Sequence, residues 1–397
     1  MDTLIEKSYQ KVRDTDTRFI RSIMDEIDWS DRLIGIRGAR GVGKTTLLLQ
    51  RIKKFLGNSS DILYVSLDNL WFTEYSLLDL VDFFVKRGGK FLFLDEVHKY
   101  PLWSQAIKNI YDDYPTLNVV FTGSSLLEIL NARADLSRRA IVYDIQGLSF
   151  REFLNITQKT DFQSVSLSDI LKNHKEISDE ILPKVKPLQF FGDYLQYGYY
   201  PFFTEGIARF SRRLEEIVNL ILEVELPLLR NVEPAYVAKI KQLLQIVSEA
   251  VPFIPNIDNL SKRIVIHRNT LISYLHYLRE TRLTNHLQKD VSGINRLQKP
   301  EKIYLENTNL AYTLAVNNTD IGNMRETFFL NQLSYNHTVE YPNSGDFWVD
   351  KKFLFEIGGK SKTGKQVKDS SNAYIAADNI EYGFANKIPL WLFGMLY

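Results

Sequence analysis

Along the first 150 residues, short apolar runs alternate with stretches whose apolar positions recur every third or fourth residue. The runs Leu33–Arg37, Ile62–Ser66, Phe91–Asp95, Asn118–Thr122 and Ile141–Ile145 read as strands buried on both faces. The stretches between them read as amphipathic helices. Strand and helix in alternation predict a parallel sheet covered by helices, an α/β fold. From about residue 151 to 230 the period becomes helical, with polar breaks at Ile156–Asp169 and between Pro183 and Pro187. One long helix is expected over Leu214–Leu229, ended near Pro227 because proline lacks the N–H a helix needs.

Between 236 and 300 the pattern is helix, turn, helix. Ile257–Arg263 forms the first helix, Ile264-Val265-Ile266 the turn, and a second helix starts near His267. Leu271, Tyr274, Leu275 and Leu278 fall on one face of that second helix and should be core. Arg268, Asn269, Ser273 and Arg279 lie off that face. With Arg282-Leu283-Thr284 and the chain to Leu297 as a wing, the segment reads as a winged helix, whose second helix can enter a DNA groove or serve as a protein contact.

Composition narrows the field. At 397 residues, 45% hydrophobic and 24% charged, the chain is globular and long enough for two to four domains. Net charge is +1, so a nucleic-acid partner would need a local basic patch. The absence of cysteine excludes disulfides, thiolate metal sites and a cysteine nucleophile. No signal-peptide core and no apolar run of membrane-spanning length is present, and a cytoplasmic protein without membrane association is expected.

The chemistry is concentrated behind the first strand. Gly38-Ala39-Arg40-Gly41-Val42-Gly43-Lys44-Thr45 fits G-x-x-x-x-G-K-[ST] without a mismatch, between a strand and a helix. Glycines let several N–H groups face one concavity, and the helix N-terminus adds positive charge. Gly38, Gly41, Val42, Gly43, Lys44, Thr45 and Thr46 are therefore candidates to bind ATP, with Lys44 on phosphate oxygens and the Thr45 hydroxyl on Mg²⁺. Asp95 and Glu96 close the third strand, where ligands of such sheets gather. Asp95 would hold Mg²⁺ and Glu96 would orient and deprotonate the water that attacks the γ-phosphate; a plain acidic turn is the bland alternative.

Beyond the fourth strand, Ser124, with Thr122 and Ser125 as alternates, could sense the γ-phosphate, though Gly-Ser-Ser is also common turn chemistry. Arg138 or Arg139 could reach a nucleotide, in cis or on a neighbouring subunit of an oligomer, or form a solvated charge pair. Asp68 reads as a turn residue and His98 and Lys99 as surface residues.

The phosphate loop, Phe93-Leu94-Asp95-Glu96-Val97-His98-Lys99, Phe121-Thr122-Gly123-Ser124-Ser125 and Gly147-Leu148-Ser149-Phe150-Arg151-Glu152-Phe153 together resemble a large group of prokaryotic predicted ATPases. Tyr194-Leu195-Gln196-Tyr197-Gly198-Tyr199-Tyr200-Pro201 is similar to that group's Tyr-Leu-x-x-Gly-Gly-x-Pro signature, with Tyr199 in place of the second glycine. The resemblance spans nearly the whole chain. It implies an AAA-type module followed by a characteristic C-terminal region of unknown function, with the γ-phosphate sensor at the end of the fourth strand.

The last hundred residues hold a second constellation. Glu326 near the opening of a helix, Asp346, Glu356 and Lys360 resemble the restriction-endonuclease-like arrangement, in which two carboxylates hold Mg²⁺ and a lysine stabilises the attacking hydroxide. The usual Glu-x-Lys has become Glu-x-Gly-Gly-Lys, which points to a catalytically degenerate copy. Lys351, Lys352, Lys360, Lys362, Lys365 and Lys368, opposed mainly by Asp350 and Glu356, form a basic cluster that could track phosphates or simply be solvated.

The expected architecture is a P-loop NTPase core over 1–150, a helical lid over 151–235, a winged helix over 236–300 and a small α/β restriction-endonuclease-like domain over 301–397. The leading functional reading is a Mg²⁺-dependent AAA-type ATPase whose nucleotide state drives its C-terminal modules, with a DNA or protein partner at 257–284 and 351–368. A slow nucleotide-gated switch and an ATP-coupled metal-dependent nuclease are the competing readings.

Overall fold

The five N-terminal apolar runs form five strands: β1 (Leu33–Arg37), β2 (Ile62–Ser66), β3 (Phe91–Asp95), β4 (Asn118–Gly123) and β5 (Ile141–Asp144). They lie in the order β2-β3-β4-β1-β5, every neighbouring pair parallel. The computed structural model describes residues 2–57, 59–123, 136, 138–230, 232–250, 252–289, 299–315, 320–363 and 372–397. It divides into two compact units, Met1–Gly147 and Leu148–Tyr397.

In the first unit, helices cover the sheet because their apolar faces have nowhere else to go. Ser76 starts the helix Leu77–Lys86 by accepting a hydrogen bond from the Asp79 N–H at 3.1 Å, and Leu77, Leu80, Val81 and Phe84 are its buried face. Trp103, Ala106, Ile107 and Ile110 do the same for the helix Trp103–Asp113. The strand order matters for chemistry. β4 lies between β1 and β3, so the C-terminal ends of all three converge, and with them the loop after β1, Asp95 and Thr122.

The second unit begins at a capping box. Ser149 accepts from the Glu152 N–H, and Glu152 reaches back to the Ser149 N–H, opening the helix Phe150–Gln158. Ser149 and Arg151 both donate to the backbone oxygen of Tyr397. The Tyr194–Pro201 motif lies at the centre of this unit. Asn309 accepts the Tyr199 N–H at 2.9 Å and donates to the carbonyls of Tyr194 (3.0 Å) and Leu195 (2.9 Å). Gly198 is needed there because a Cβ would lie 2.4 Å from the Tyr194 ring. The family-like signature is thus a packing device.

The expected helix Leu214–Leu229 is instead Phe210–Leu220, a widened turn at Ile221–Glu225, and a last segment, Leu226–Arg230, that contains Pro227. Widening just ahead of the proline accommodates its ring and its missing N–H, so the helix bends past it rather than stopping. The helices Ile257–Ile264 and Arg268–Glu280 flank a turn with Val265 in the left-handed region (φ 59°), and Leu271, Tyr274, Leu275 and Leu278 are all buried. β6 (Thr284–Leu287) then pairs antiparallel with β7 (Lys302–Leu305).

A five-stranded sheet completes the unit: β8 (Val339–Glu340), β9 (Phe347–Val349), β10 (Phe353–Gly358), β11 (Ala373–Ala377) and β12 (Lys387–Pro389). β8, β9 and β10 run antiparallel, whereas β10, β11 and β12 run parallel. Phe329, from the helix Ile321–Leu333, packs on Phe347, Phe355 and Phe393. That helix is capped by Asp320, so Glu326 sits in its middle rather than near its start.

Candidate active site

The loop between β1 and the helix Lys44–Arg51 requires its glycines for separate reasons. Gly41 and Gly43 have φ of 84° and 97°, which side chains resist. Gly38 has no room: a Cβ there would lie 2.2 Å from the Ile145 carbonyl oxygen. The Lys44 ammonium donates to the carbonyls of Gly38 (2.9 Å) and Ala39 (2.8 Å), keeping a buried positive charge inside the loop. Val42 is buried and Thr46 exposed. Arg21 holds the loop from outside the motif. Its buried guanidinium donates to the carbonyls of Val42 (3.1 Å), Gln146 (2.7 Å) and Gly147 (2.8 Å). Twenty-one positions ahead of the residue it supports, it carries no spacing signal, and the sequence gives no warning of it.

Asp95 is 2% exposed and surrounded by donors. Its Oδ2 accepts from Thr45 Oγ1 at 2.6 Å and from the Tyr64 hydroxyl at 2.8 Å. Its Oδ1 accepts from the Thr122 hydroxyl and from the Glu96 N–H at 3.1 Å. Burial, then the Asp95 charge, pushes the Tyr64 phenol far up, so it stays a donor. Thr122 thereby has its hydroxyl on Asp95, the carboxylate across the strand gap. Tyr64 was not among the sequence candidates; its place in β2 looks like ordinary core until strand order brings it beside β3.

Glu96 follows in the left-handed region (φ 53°, ψ 41°), which turns the chain sharply as it leaves the strand. His98 corrects a sequence expectation. Lys99 is exposed, but the His98 side chain is 6% exposed, and its Nε2 lies 3.6 Å from Glu96 Oε2. Among the described residues neither ring nitrogen has a hydrogen-bond partner. Burial, then the charges of Lys99, Arg40 and Lys44, pushes its pKa down to about 4. A lowered folded-state pKa gives stability that is intact above the unfolded value and lost as pH falls toward 4. We expect the unfolding free energy to drop by up to about 3 kcal/mol more for the wild type than for His98→Gln between pH 6.5 and 4. Parallel pH curves for the two proteins in chemical unfolding would contradict this.

Thr45 and Asp95 are the pair that would hold Mg²⁺, and their oxygens suit a hard divalent cation. Among the described residues no three His, Cys, Asp or Glu side chains converge as a metal cage, so phosphate and water oxygens would complete the shell. Such a cation would supply charge neutralisation at the phosphates. Arg138 is exposed, and Arg139 makes two hydrogen bonds of 2.9 Å to Asp112. Asp68 is exposed, and the turn after β2 is capped by Asn69. Ser124 and Ser125 lie outside the described residues.

Residues 30–154 match the AAA domain family. The first unit carries an AAA-type P-loop ATPase domain. Residues 188–321 match a second family, described as a domain of unknown function (DUF8612). An uncharacterized protein of Methanocaldococcus jannaschii is 26% identical over 387 residues, spanning 90% of this chain and 81% of its own length. Among solved structures, a Walker-type ATPase of Pyrococcus abyssi is 12% identical, with 77% of this chain and 94% of that chain covered and a TM-score of 0.42. AMPPCP-bound DnaA from Aquifex aeolicus is 16% identical, with 70% and 88% covered and a TM-score of 0.26.

In the second unit the acids of the C-terminal constellation lie close together, and Lys362 rather than Lys360 meets them. Phe347 pairs with Phe355 at the end of β9, the preceding Asp346 N–H donates to the Phe355 carbonyl at 2.9 Å, and Asp346 there feels the charge of Glu356. Asp346 Oδ2 accepts the Ile357 N–H at 2.7 Å. Burial raises the pKa of Asp346 and of Glu326, and each carboxylate is raised further by an acidic neighbour. Glu326 accepts from the Tyr304 hydroxyl at 2.7 Å and lies 3.7 Å from the Lys302 ammonium. Lys360 is exposed and does not reach the acids in this arrangement. Lys362 does: its ammonium is 2.9 Å from Glu356 Oε1. Its stem crosses Gly358 so closely that a Cβ there would lie 2.8 Å from it. The other Glu356 oxygen is buried without a hydrogen-bond partner among the described residues.

Lys351 is 3.7 Å from Glu340, and Lys365 and Lys368 lie outside the described residues. On the helix–turn–helix, Arg268 is 3.1 Å from Asp258. No helix among the described residues is long and apolar enough to cross a membrane.

Proposed function

We propose that this protein is a Mg²⁺-dependent ATPase in which Lys44 and Thr45 hold the phosphates and the cation, Asp95 completes the cation site, and Glu96 activates water. The observation that carries this reading is Asp95, fixed by Thr45, Tyr64 and Thr122 at the mouth of the phosphate loop. A carboxylate held by that many donors is spent on position, leaving its neighbour Glu96 to take a proton. Ser124 and Arg138 or Arg139 remain proposed auxiliaries, and the nucleotide state would be read by the second unit, including a winged helix at 236–300. Phosphate release from ATP, compared with the Glu96→Gln variant, tests the assignment. Unchanged release would remove Glu96 from the chemistry.

A second reading rests on Lys362. The restriction-endonuclease-like pattern wants a lysine two residues after Glu356, where this chain has Gly358, and the Lys362 stem fills that space. Asp346 and Glu356 would hold a divalent cation and Lys362 would steady the attacking hydroxide, so a phosphodiester plus water gives a phosphomonoester and an alcohol. With Mn²⁺ and plasmid or single-stranded DNA, Lys362→Met is expected to cut at least about a hundredfold more slowly. Lys360→Met should cut like the wild type. Equal rates for all three proteins would remove Lys362 from that role.

A further inference from the structure

We propose that the second unit binds unpaired nucleic acid through a pocket on the same hairpin as the Asp346–Glu356 pair, with a base against Trp348 and Tyr341 and phosphates at Lys289 and Lys352. It deepens the second reading by naming that site's substrate. The pocket is a cavity of about 360 Å³ whose lining includes Lys289, Tyr341, Trp348, Lys352 and Leu354. Trp348 and Leu354 are a cross-strand pair of β9 and β10. Side chains two positions apart on a strand share a face. Leu354 therefore shares a face with Glu356, and the pocket and the acid pair lie on one hairpin, with Asp346 two residues ahead of Trp348.

The pocket's far wall is set by backbone. Tyr341 N–H donates to the Gln288 carbonyl at 2.7 Å, which holds Tyr341 beside Lys289. The loop from Tyr341 to Gly345 then leads directly into Asp346. Trp348 is 36% exposed, large and apolar, on a strand whose neighbours Phe347 and Val349 are fully buried. Lys289 and Lys352 are exposed and have no ion-pair partner among the described residues. Two acids near Lys352 are engaged elsewhere: Asp350 lies 2.7 Å from His337, and Glu340 is buried beneath Lys351.

Flat aromatic rings beside lysines that have no ion-pair partner among the described residues, Lys352 resting over the Phe353 ring, favour single strands over the alternatives. Every base has a face to stack, and stacking demands that the base be unpaired. A duplex would offer phosphates to the lysines and nothing to Trp348. An acidic peptide would use the lysines and leave the rings idle.

The test is fluorescence anisotropy of labelled oligo(dT) and oligo(U) with the full chain in EDTA, where no phosphodiester can be cut by a metal-dependent site. Wild type should bind single strands more tightly than a duplex of the same length. Trp348→Ala should weaken binding about tenfold or more, and Trp348→Phe should restore most of it. Lys289→Ala and Lys352→Ala should each lower the salt slope by about 0.7. Binding in EDTA is read without cleavage, so failure of the hydrolytic reading leaves this result standing. Equal binding by Trp348→Ala, a preference for duplex, binding of an acidic peptide in place of the oligonucleotides, or no binding would each overturn the proposal.

Discussion

Glu96→Gln is expected to bind ATP as tightly as the wild type while its turnover falls by about a hundredfold or more. The substitution keeps the shape, and the Glu96 backbone N–H still donates to Asp95 at 3.1 Å, so the cation site keeps its support. Only the capacity to take a proton from water is lost. The buried, neutral imidazole of His98, 3.6 Å from the Glu96 carboxylate, offers no replacement charge. Rapid-mix hydrolysis and equilibrium binding of a fluorescent ATP analogue separate the two effects. Weakened binding with unchanged turnover would assign Glu96 to holding rather than chemistry.

Asn309→Ala should cost the second unit about 3–5 kcal/mol. Asn309 is fully buried and joins the Tyr194–Tyr199 turn through three hydrogen bonds of 2.9, 3.0 and 2.9 Å. Alanine would strand one N–H and two carbonyls away from water, each worth about 1–3 kcal/mol when left unpaired. Asn309→Asp is expected to be no better, because an ionised carboxylate would face the carbonyls of Tyr194 and Leu195. Chemical unfolding measures both. A loss under about 1 kcal/mol for alanine would mean that the aromatic packing around Tyr194 carries the turn alone.

What the sequence conveys well is whatever is local. All five strands of the first sheet are legible, because mostly apolar runs between amphipathic segments leave few alternatives, although β5, expected to be buried on both faces, is a half-exposed edge strand. The stripe Leu271, Tyr274, Leu275 and Leu278 is equally plain. What it hides depends on strand order or on chain reversal. Arg21 and Tyr64 support the phosphate loop and Asp95 from segments with no motif, and His98 looks like a surface residue until the turn at Glu96 buries it. Lys362 is the clearest case. Counting from Glu356 selects Lys360, whereas the chain folds back over Gly358 and delivers the ammonium two residues later. Pro227 misleads in the opposite direction, since a widened turn ahead of it lets the helix continue.

The central claim is that Gly38–Thr45 binds ATP for hydrolysis with Asp95 and Glu96. It is tested most directly by inorganic phosphate release from ATP in Mg²⁺, measured for the wild type and for Lys44→Ala at matched concentrations. The structure places the Lys44 ammonium inside the loop, so its loss should abolish both ATP binding and phosphate release, while the wild type releases phosphate with repeated turnover. Equal phosphate release by the two proteins, or none by the wild type under conditions where it binds ATP, would contradict it.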